Sequence, residues 1–418
     1  MTYFFLYIDP GTGSMLFSLF ITLAATATFA ARALYLKLKF AFSLGKAEKA
    51  ENQNIPIVIF SDHKRYWNVF KPVCDEFERR GVPLVYYTES PDDPALSEKF
   101  SFVKTEFIGE GNKPYAKLNM LHASVLVSTT PNLDVYQWKR SKYVKWYVHV
   151  PHSADELAGY RMFALDYYDA VLVTGKNQLD FIREIESLRP KIKKKEIVLA
   201  GYPVFDTMKN RLSLLSEREV GSEKKTVLLA PSWGKSGILS LYGEKLLSAL
   251  SKTDFNIVIR PHPQTVVSEQ DILRPLEEKF SSVEWNYDND NFAVLNKADI
   301  LITDFSGIIF DFALVFDKPV IYTDPTGFDT LPYDADWLSE PRWAFKVLPK
   351  IGVKLDEGNF SRIGSIVEAA LGSQKLQEGR NSIRAEAWHN QGNAAKSIAD
   401  YIIETQKKIE EREKAAHD

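Results

Sequence analysis

The sequence predicts an α/β protein with two Rossmann-like domains facing each other across a cleft, preceded by an apolar N-terminal helix that crosses a membrane. Three observations carry this. Short apolar strands alternate with helical stretches of about 10–15 residues, the pattern of parallel sheets with crossover helices. The alternation runs twice, interrupted by the polar stretch Lys209–Lys225. Ahead of it lies Pro10–Ala31, a run with no charged residue. The expected divisions are 1–50 for anchor and linker, 51–208 and 209–385 for the two domains, and 386–418 for a terminal helix and charged tail.

In the first series, Ile55–Phe60 reads as a buried strand and Tyr66–Arg80 as a helix stopped by Gly81, a residue free to turn left-handed. Strands follow at Val82–Tyr87, Ser124–Ser128, Lys145–Val150, Ala170–Val173 and Glu196–Ala200, with a helix at Lys176–Leu188. The second series begins with strand Thr226–Ala230 and helix Leu241–Ser251, then strand Phe255–Arg260 and helix Ser268–Phe280. It closes with strand Ile300–Thr303, helix Gly307–Val315 and strand Pro319–Tyr322. The charge run Lys407–Lys414 reads as a solvated helix end.

Composition bounds the chemistry. The chain has 418 residues, with 52 Lys+Arg against 55 Asp+Glu and a net charge of −3, so no global charge favours nucleic acid. Its content of 45% hydrophobic and 26% charged residues is globular usage, which excludes a largely disordered chain. The single cysteine, Cys74, excludes internal disulfides and cysteine-based metal clusters and points to a reducing compartment.

The N-terminal apolar core is Met15–Ala31, near the ~20 residues that span a bilayer once its flanks are included. Asp9 precedes it and Arg32, Lys37, Lys39 and Lys46 follow it, the reverse of a secretory signal. The basic flank places the bulk of the chain in the cytosol, on a single-pass anchor in a cytoplasmic membrane, with membrane lipid as a partner.

Chemistry is sought at the carboxyl ends of the strands, where sheets of this type bind ligands. Strand Ile300–Thr303 ends in Asp304, followed by Ser306, Gly307 and a helix carrying Asp311. A hydroxyl, a glycine and a helix start form a phosphate cradle or, equally, an ordinary capped helix. In Phe255–Thr265 a strand delivers Arg260 and His262, and prolines on both sides of the histidine hold it at the strand end. An arginine fork and a histidine donor suit a diphosphate. In Lys145–Leu157 a strand ends in Pro151 and His152, and His152 is positioned as a general base for an incoming hydroxyl. His149 reads as a strand residue, and no third ligand makes a zinc site of the two histidines. The loop Pro231–Gly237 brings Ser232 and Lys235 to a strand end but lacks the upstream glycine of a Walker A loop. Asp288 and Asp290 are explained by helix capping better than by a metal, so no metal site is expected. The basic run Arg189–Lys195 reads as a solvated connection before a strand, with contact to anionic lipid as the alternative.

The ordered set PHS, APSWG, RPHP and ADILITDFSGIIFDFAL followed by KPVIY resembles the CDP-glycerol glycerophosphotransferase family, which builds teichoic-acid-type poly(polyol phosphate) chains. The resemblance covers roughly Ile55–Ile403 and includes the closing segment Ala387–Ile403. It implies a fold of glycosyltransferase-B type, an acceptor-side first domain and a nucleotide-donor second domain. It implies transfer of a polyol phosphate, glycerol phosphate first among them, from a CDP-linked donor to a membrane-associated acceptor hydroxyl in cell-envelope or capsule polymer synthesis, with CMP released. By the resemblance His152 is the base, His262 stabilises the pyrophosphate, and Arg260, Ser306 and Asp311 fall on donor-site positions, with Asp304 on the aspartate before the serine. Two departures touch the acceptor side and the phosphate side. The chain has Val-Pro-His-Ser-Ala where relatives often have Trp-His-Gly-Thr-Pro, and Ser306-Gly307 where they often have two serines. The alternatives are a nucleotide-sugar glycosyltransferase of the same fold and a non-catalytic member acting in envelope assembly.

Overall fold

The computed structural model describes residues 54–417 except 156, 216–223, 289, 324–337 and 339–340, together with 21, 22, 26–28, 31 and 34 of the N-terminal segment. The chain divides into two units, Met1–Asn54 and Ile55–Asp418. The membrane helix expected over 10–31 lies mostly outside the described residues, and among the described residues no helix is long and apolar enough to cross a membrane.

The second unit holds two wholly parallel sheets. The first has seven strands: β1 (Ile55–Ser61), β2 (Leu84–Thr88), β3 (Val103–Phe107), β4 (Ala123–Ser128), β5 (Val144–His149), β6 (Ala170–Val173) and β7 (Glu196–Leu199), in the order β3-β2-β1-β4-β5-β6-β7. The second has six: β8 (Thr226–Leu229), β9 (Asn256–Ile259), β10 (Glu284–Trp285), β11 (Ile300–Thr303), β12 (Val320–Tyr322) and β13 (Gly352–Lys354), in the order β10-β9-β8-β11-β12-β13. The central strands read as unbroken apolar runs because helices cover both faces, and Ala123–Ser128 and Ile300–Thr303 are buried at every position.

Both orders reverse direction beside the first strand of the sheet, between β1 and β4 and between β8 and β11. Crossovers leave to opposite sides there, so a crevice opens at the carboxyl ends. Each crevice carries the same local bond. Ser128 Oγ donates to the Phe60 carbonyl at 2.8 Å, and Thr303 Oγ1 donates to the Ala230 carbonyl at 2.6 Å.

The helix Trp67–Arg80 ends as its sequence predicts, with Gly81 at φ 66° and its amide bonded back to Glu78. The expected boundary at 208/209 falls inside the helix Pro203–Ser213. The expected helix 268–280 is two, Pro263–Ser268 and Gln270–Lys279, and the stretch after Gly307 turns from α at Ile308–Phe310 to π at Asp311–Val315.

The C-terminal segment returns to the first sheet. Asp206 accepts from Trp388 Nε1 at 2.9 Å and from the amides of Gly392 and Ala394, starting the helix Ala394–His417. Ile398, Ala399 and Ile402 of that helix join the core containing Val73 and Phe77 of the first half. The close approach requires glycine at Gly175, where a Cβ would lie 2.3 Å from the Glu386 carbonyl oxygen.

Candidate active site

On the first sheet, His152 follows β5 and is half-buried. Its ring lies 4.7 Å from that of Tyr66, and its Nδ1 is 3.3 Å from the Tyr160 hydroxyl. The same hydroxyl is 3.2 Å from Nε2 of His149, the fully buried last residue of β5. Tyr160 therefore joins two histidines, and Tyr202 fixes the loop by donating to the His152 carbonyl at 2.7 Å. Burial, with the Arg65 charge in addition, pushes His152 down to about 4, so the imidazole is neutral at pH 7 and able to accept a proton.

Around this histidine the fold gathers groups that the sequence reading missed. Asp62 follows β1 and Glu89 follows β2, and neither forms an ion pair among the described residues. Burial raises both, and Glu89 is pushed up to about 7 by burial and by the Asp62 charge. Each occupies the first position after a strand, the only local signal that could have marked it.

On the second sheet, Asp304 follows β11 and is 1% exposed. Its carboxylate accepts from the amides of Ser232 (2.9 Å), Ile238 (3.0 Å) and Phe305 (2.7 Å). The Asp304 expected beside phosphate has oxygens that already accept from backbone N–H groups and so hold the loop 231–238. Within that loop Gly234 takes φ +92° and donates to Glu269 at 2.9 Å, while Lys235 is exposed at the tip. Ser232 is half-buried beside the exposed Trp233.

His262 caps the helix Pro263–Ser268, its Nδ1 accepting from the Gln264 amide at 3.1 Å. Burial lowers its pKa against the opposing charges of Asp304 and Glu269. Its ring centroid lies 6.5 Å from that of Trp233. Arg260 bonds Asn286 and the Asp288 carbonyl, so its guanidinium is aimed along the end of β10. Ser306 is half-buried, and Gly307 is exposed with no atom within 4 Å of a built Cβ, which leaves open space above its backbone. Its φ of −58° is helical, so the glycine is present for access and not for a turn.

The two halves meet at Asp311. Burial pushes this carboxyl up to about 7, and the Asp155 charge from the first half adds to the rise. Tyr202, which holds His152, lies in the field of Asp311 as well. A cavity of about 200 Å³ is lined from both sides, by Asp155 and Gly159 of one half and Phe305, Ile309, Phe310 and Arg342 of the other. Tyr202 thus bonds the His152 carbonyl and lies in the field of Asp155 and Asp311, while His262 lies in the field of Asp304 and Glu269 of its own half.

Two other sequence features have structural employment. Asp290 bonds Arg211 at 2.6 Å and the Phe292 amide at 3.0 Å, as capping requires. In the basic run, Arg189 pairs with Asp166 and Lys193 with Asp169.

Residues 116–333 match the sequence profile of the CDP-glycerol:poly(glycerophosphate) glycerophosphotransferase family. Among curated proteins the chain is 31% identical over 157 residues to the minor teichoic acid biosynthesis protein GgaB of Bacillus subtilis, covering 31% of this chain and 16% of that one. It is 22% identical over 251 residues to the teichoic acid glycerol-phosphate primase of Bacillus spizizenii, covering 57% and 58%. The match therefore spans less than two thirds of either relative. Among solved structures the wall teichoic acid polymerase TagF superposes with a TM-score of 0.54 at 18% identity, over 86% of this chain and 91% of that one. A UDP-GlcNAc 2-epimerase from Neisseria meningitidis superposes at 0.52 with 14% identity, over 84% and 99%. At those identities the likeness concerns the fold, which is the glycosyltransferase-B-like arrangement of TagF. The profile spans more than half of the sequence and contains His152, Ser232, Lys235, Arg260, His262, Asp304, Ser306, Gly307 and Asp311, so the chain belongs to the CDP-glycerol:poly(glycerophosphate) glycerophosphotransferase family.

Proposed function

We propose that this protein transfers glycerol phosphate from CDP-glycerol to an acceptor hydroxyl in the synthesis of a teichoic-acid-type envelope polymer. The observation that carries the reading is His152: an imidazole kept neutral at the strand end of one half, in a chain of this family. The acceptor oxygen attacks the β-phosphorus of the donor. A new O–P bond forms, the P–O bond to the bridging oxygen breaks, and CMP leaves with the electron pair. His152 takes the hydroxyl proton. Its low pKa in the free protein rises when the negative phosphates of the donor arrive, so basicity is supplied at the moment of transfer. Tyr160 and His149 orient the ring.

On the donor side His262, Arg260, Ser306 and the N–H groups near Gly307 neutralise the diphosphate, with Lys235 adding charge from the loop tip. Asp304 holds that loop in shape. Trp233, exposed beside His262, offers a flat face for the cytosine ring. The uncharged run 10–31 with its basic flank supports attachment to a bacterial cytoplasmic membrane, on the face where a lipid-borne acceptor would lie.

The test is incubation with CDP-glycerol, CDP-ribitol and UDP-sugars while following nucleotide release. CMP from a CDP-polyol and no UDP from the sugars is expected. His262→Ala should then weaken CDP binding by at least about tenfold in calorimetry, the loss expected for one bond to a charged group. UDP release without CMP release would make the chain a nucleotide-sugar enzyme instead.

A further inference from the structure

His149 is the last residue of β5, fully buried and out of reach of any substrate. Packing against a neighbour needs no imidazole there, so its nitrogens are the feature to explain. The Tyr160 hydroxyl lies 3.2 Å from Nε2 of His149 and 3.3 Å from Nδ1 of His152. A phenol has one proton to give. One of the two nitrogens therefore accepts from Tyr160, and the other carries a proton and donates to it. A single oxygen forces the two rings into opposite roles.

The rings are held so that these nitrogens stay in place. The His149 ring meets Tyr160 at 88° and Tyr168 at 63°, with centroids 5.6 and 5.0 Å away. The His152 ring lies 4.7 Å from Tyr66 and 5.6 Å from Tyr160. Charge does not relieve the constraint either. Burial keeps the Tyr160 phenol protonated, with Tyr66, Asp155 and Asp62 adding to the effect. Burial keeps His149 neutral, with the His152 charge adding. With every member uncharged, only the positions of the protons can differ.

Two arrangements exist. If His149 donates, Tyr160 gives its proton to Nδ1 of His152, and the proton of that neutral ring sits on Nε2. No lone pair then remains for an incoming hydroxyl. If His152 donates from Nδ1, Tyr160 gives its proton to Nε2 of His149, and Nε2 of His152 keeps its lone pair. Only the second arrangement yields a base.

The second arrangement also suits the state after transfer. An imidazolium has two N–H groups, and two acceptors lie against the ring: the Tyr160 oxygen and the Thr129 carbonyl, which favours the charged form. His149 is no place for that charge, because its Nδ1 is a buried atom with no partner. In neutral His149 the proton sits on this nitrogen, and the unmade bond is a cost that an apolar side chain would not carry. What the imidazole adds is the acceptor at Nε2.

We propose that Tyr160 and His149 are positioning residues that fix the proton of neutral His152 on Nδ1 and so keep Nε2 free as the base. The assignment rests on the glycerophosphotransferase reading above. In the transfer step the acceptor O–H bond breaks and its proton goes to Nε2. The electron pair of that bond forms the new O–P bond, and CMP leaves with the pair of the P–O bond that breaks. Tyr160 keeps its own proton throughout, so no charge passes beyond His152.

The test uses the full chain, isotopically labelled at its histidine ring nitrogens. Long-range proton–nitrogen NMR reads which nitrogen of each ring carries the proton, and the signals missing from His152→Gln identify His152. The wild type at pH 7 is expected to carry it on Nδ1. Tyr160→Phe should move it to Nε2, the nitrogen that a free imidazole prefers. The same variant should lower kcat for CMP release by at least about tenfold, with CDP affinity and donor KM at wild-type values. His149→Gln, whose amide oxygen still accepts from Tyr160, should keep the Nδ1 proton and most of kcat. His149→Phe, which offers no acceptor, should behave like Tyr160→Phe. A wild-type His152 protonated on Nε2 overturns the proposal, and so does wild-type kcat in Tyr160→Phe. The wild-type spectrum decides the matter even where a variant fails to fold. Absence of CMP release by the wild type overturns the glycerophosphotransferase reading instead, and the spectrum still locates the proton.

Discussion

At the residue scale the site depends on burial setting protonation. His149 and His152 are both pushed down by burial, and the buried carboxyls of Glu89 and Asp311 are both pushed up to about 7. These groups act on stability in opposite directions. The histidines cost stability as pH falls below their ordinary range, because the unfolded chain takes up protons that the folded one refuses until about pH 4 for His152. Asp311 costs stability as pH rises from about 4 to about 7, because the folded chain keeps a proton that the unfolded one releases. Asp311→Asn removes only the second effect. At pH 8 the variant should be more stable than the wild type by on the order of 2 kcal/mol, with the gap closing by pH 4, read from urea denaturation at both pH values. An equal gap at both pH values would show that the carboxyl is not held protonated.

His152 and His262 were legible in the sequence because prolines pin each of them at a strand end. Asp62, Glu89, Tyr160 and Tyr202 were not. Asp62 and Glu89 are brought together only by the pairing of β1 with β2, and Tyr160 acts through contacts to two histidines at once. No local pattern announces a group whose role depends on its neighbours in space.

At the scale of elements, the loop 231–238 shows how a buried carboxylate can work through the backbone. Three backbone amides end on the Asp304 carboxylate, and one of them, Ile238, is fully buried. Asp304→Ala would leave those donors without an acceptor. A loss of about 2–4 kcal/mol is expected in chemical denaturation, with Asp304→Asn retaining part of it, since its carbonyl oxygen still accepts. CDP affinity should fall with the loop's order. A variant as stable as the wild type would mean that the loop is held by other contacts.

The central strands were legible to within a residue or two because both faces are covered and the apolar run is continuous. The edge strands β3, β10 and β13 were missed for the opposite reason. β10 is two residues, Glu284 and Trp285, and in the five residues of β3 only Val103 is buried, so neither carries a strong hydrophobic signature. The polar stretch after Lys209 concealed the end of the helix Pro203–Ser213, whose buried side lies in Pro203–Met208.

At the scale of the molecule, two sheets with the same reversal of strand order each open a crevice at the carboxyl ends, and the C-terminal helix crosses back to pack on the first half. The fold class was readable from the double alternation of strands and helices. The return of the last helix was not, because it depends on Asp206 and on the missing side chain of Gly201, far away in sequence. Transfer chemistry in one half and donor binding in the other must be separable. The direct measurement is His152→Gln assayed for CMP release from CDP-glycerol in the presence of acceptor, beside calorimetry with CDP. Abolished release with unchanged CDP affinity is the result predicted, because glutamine removes the base and leaves the phosphate site intact. Wild-type release by the glutamine variant would contradict the account.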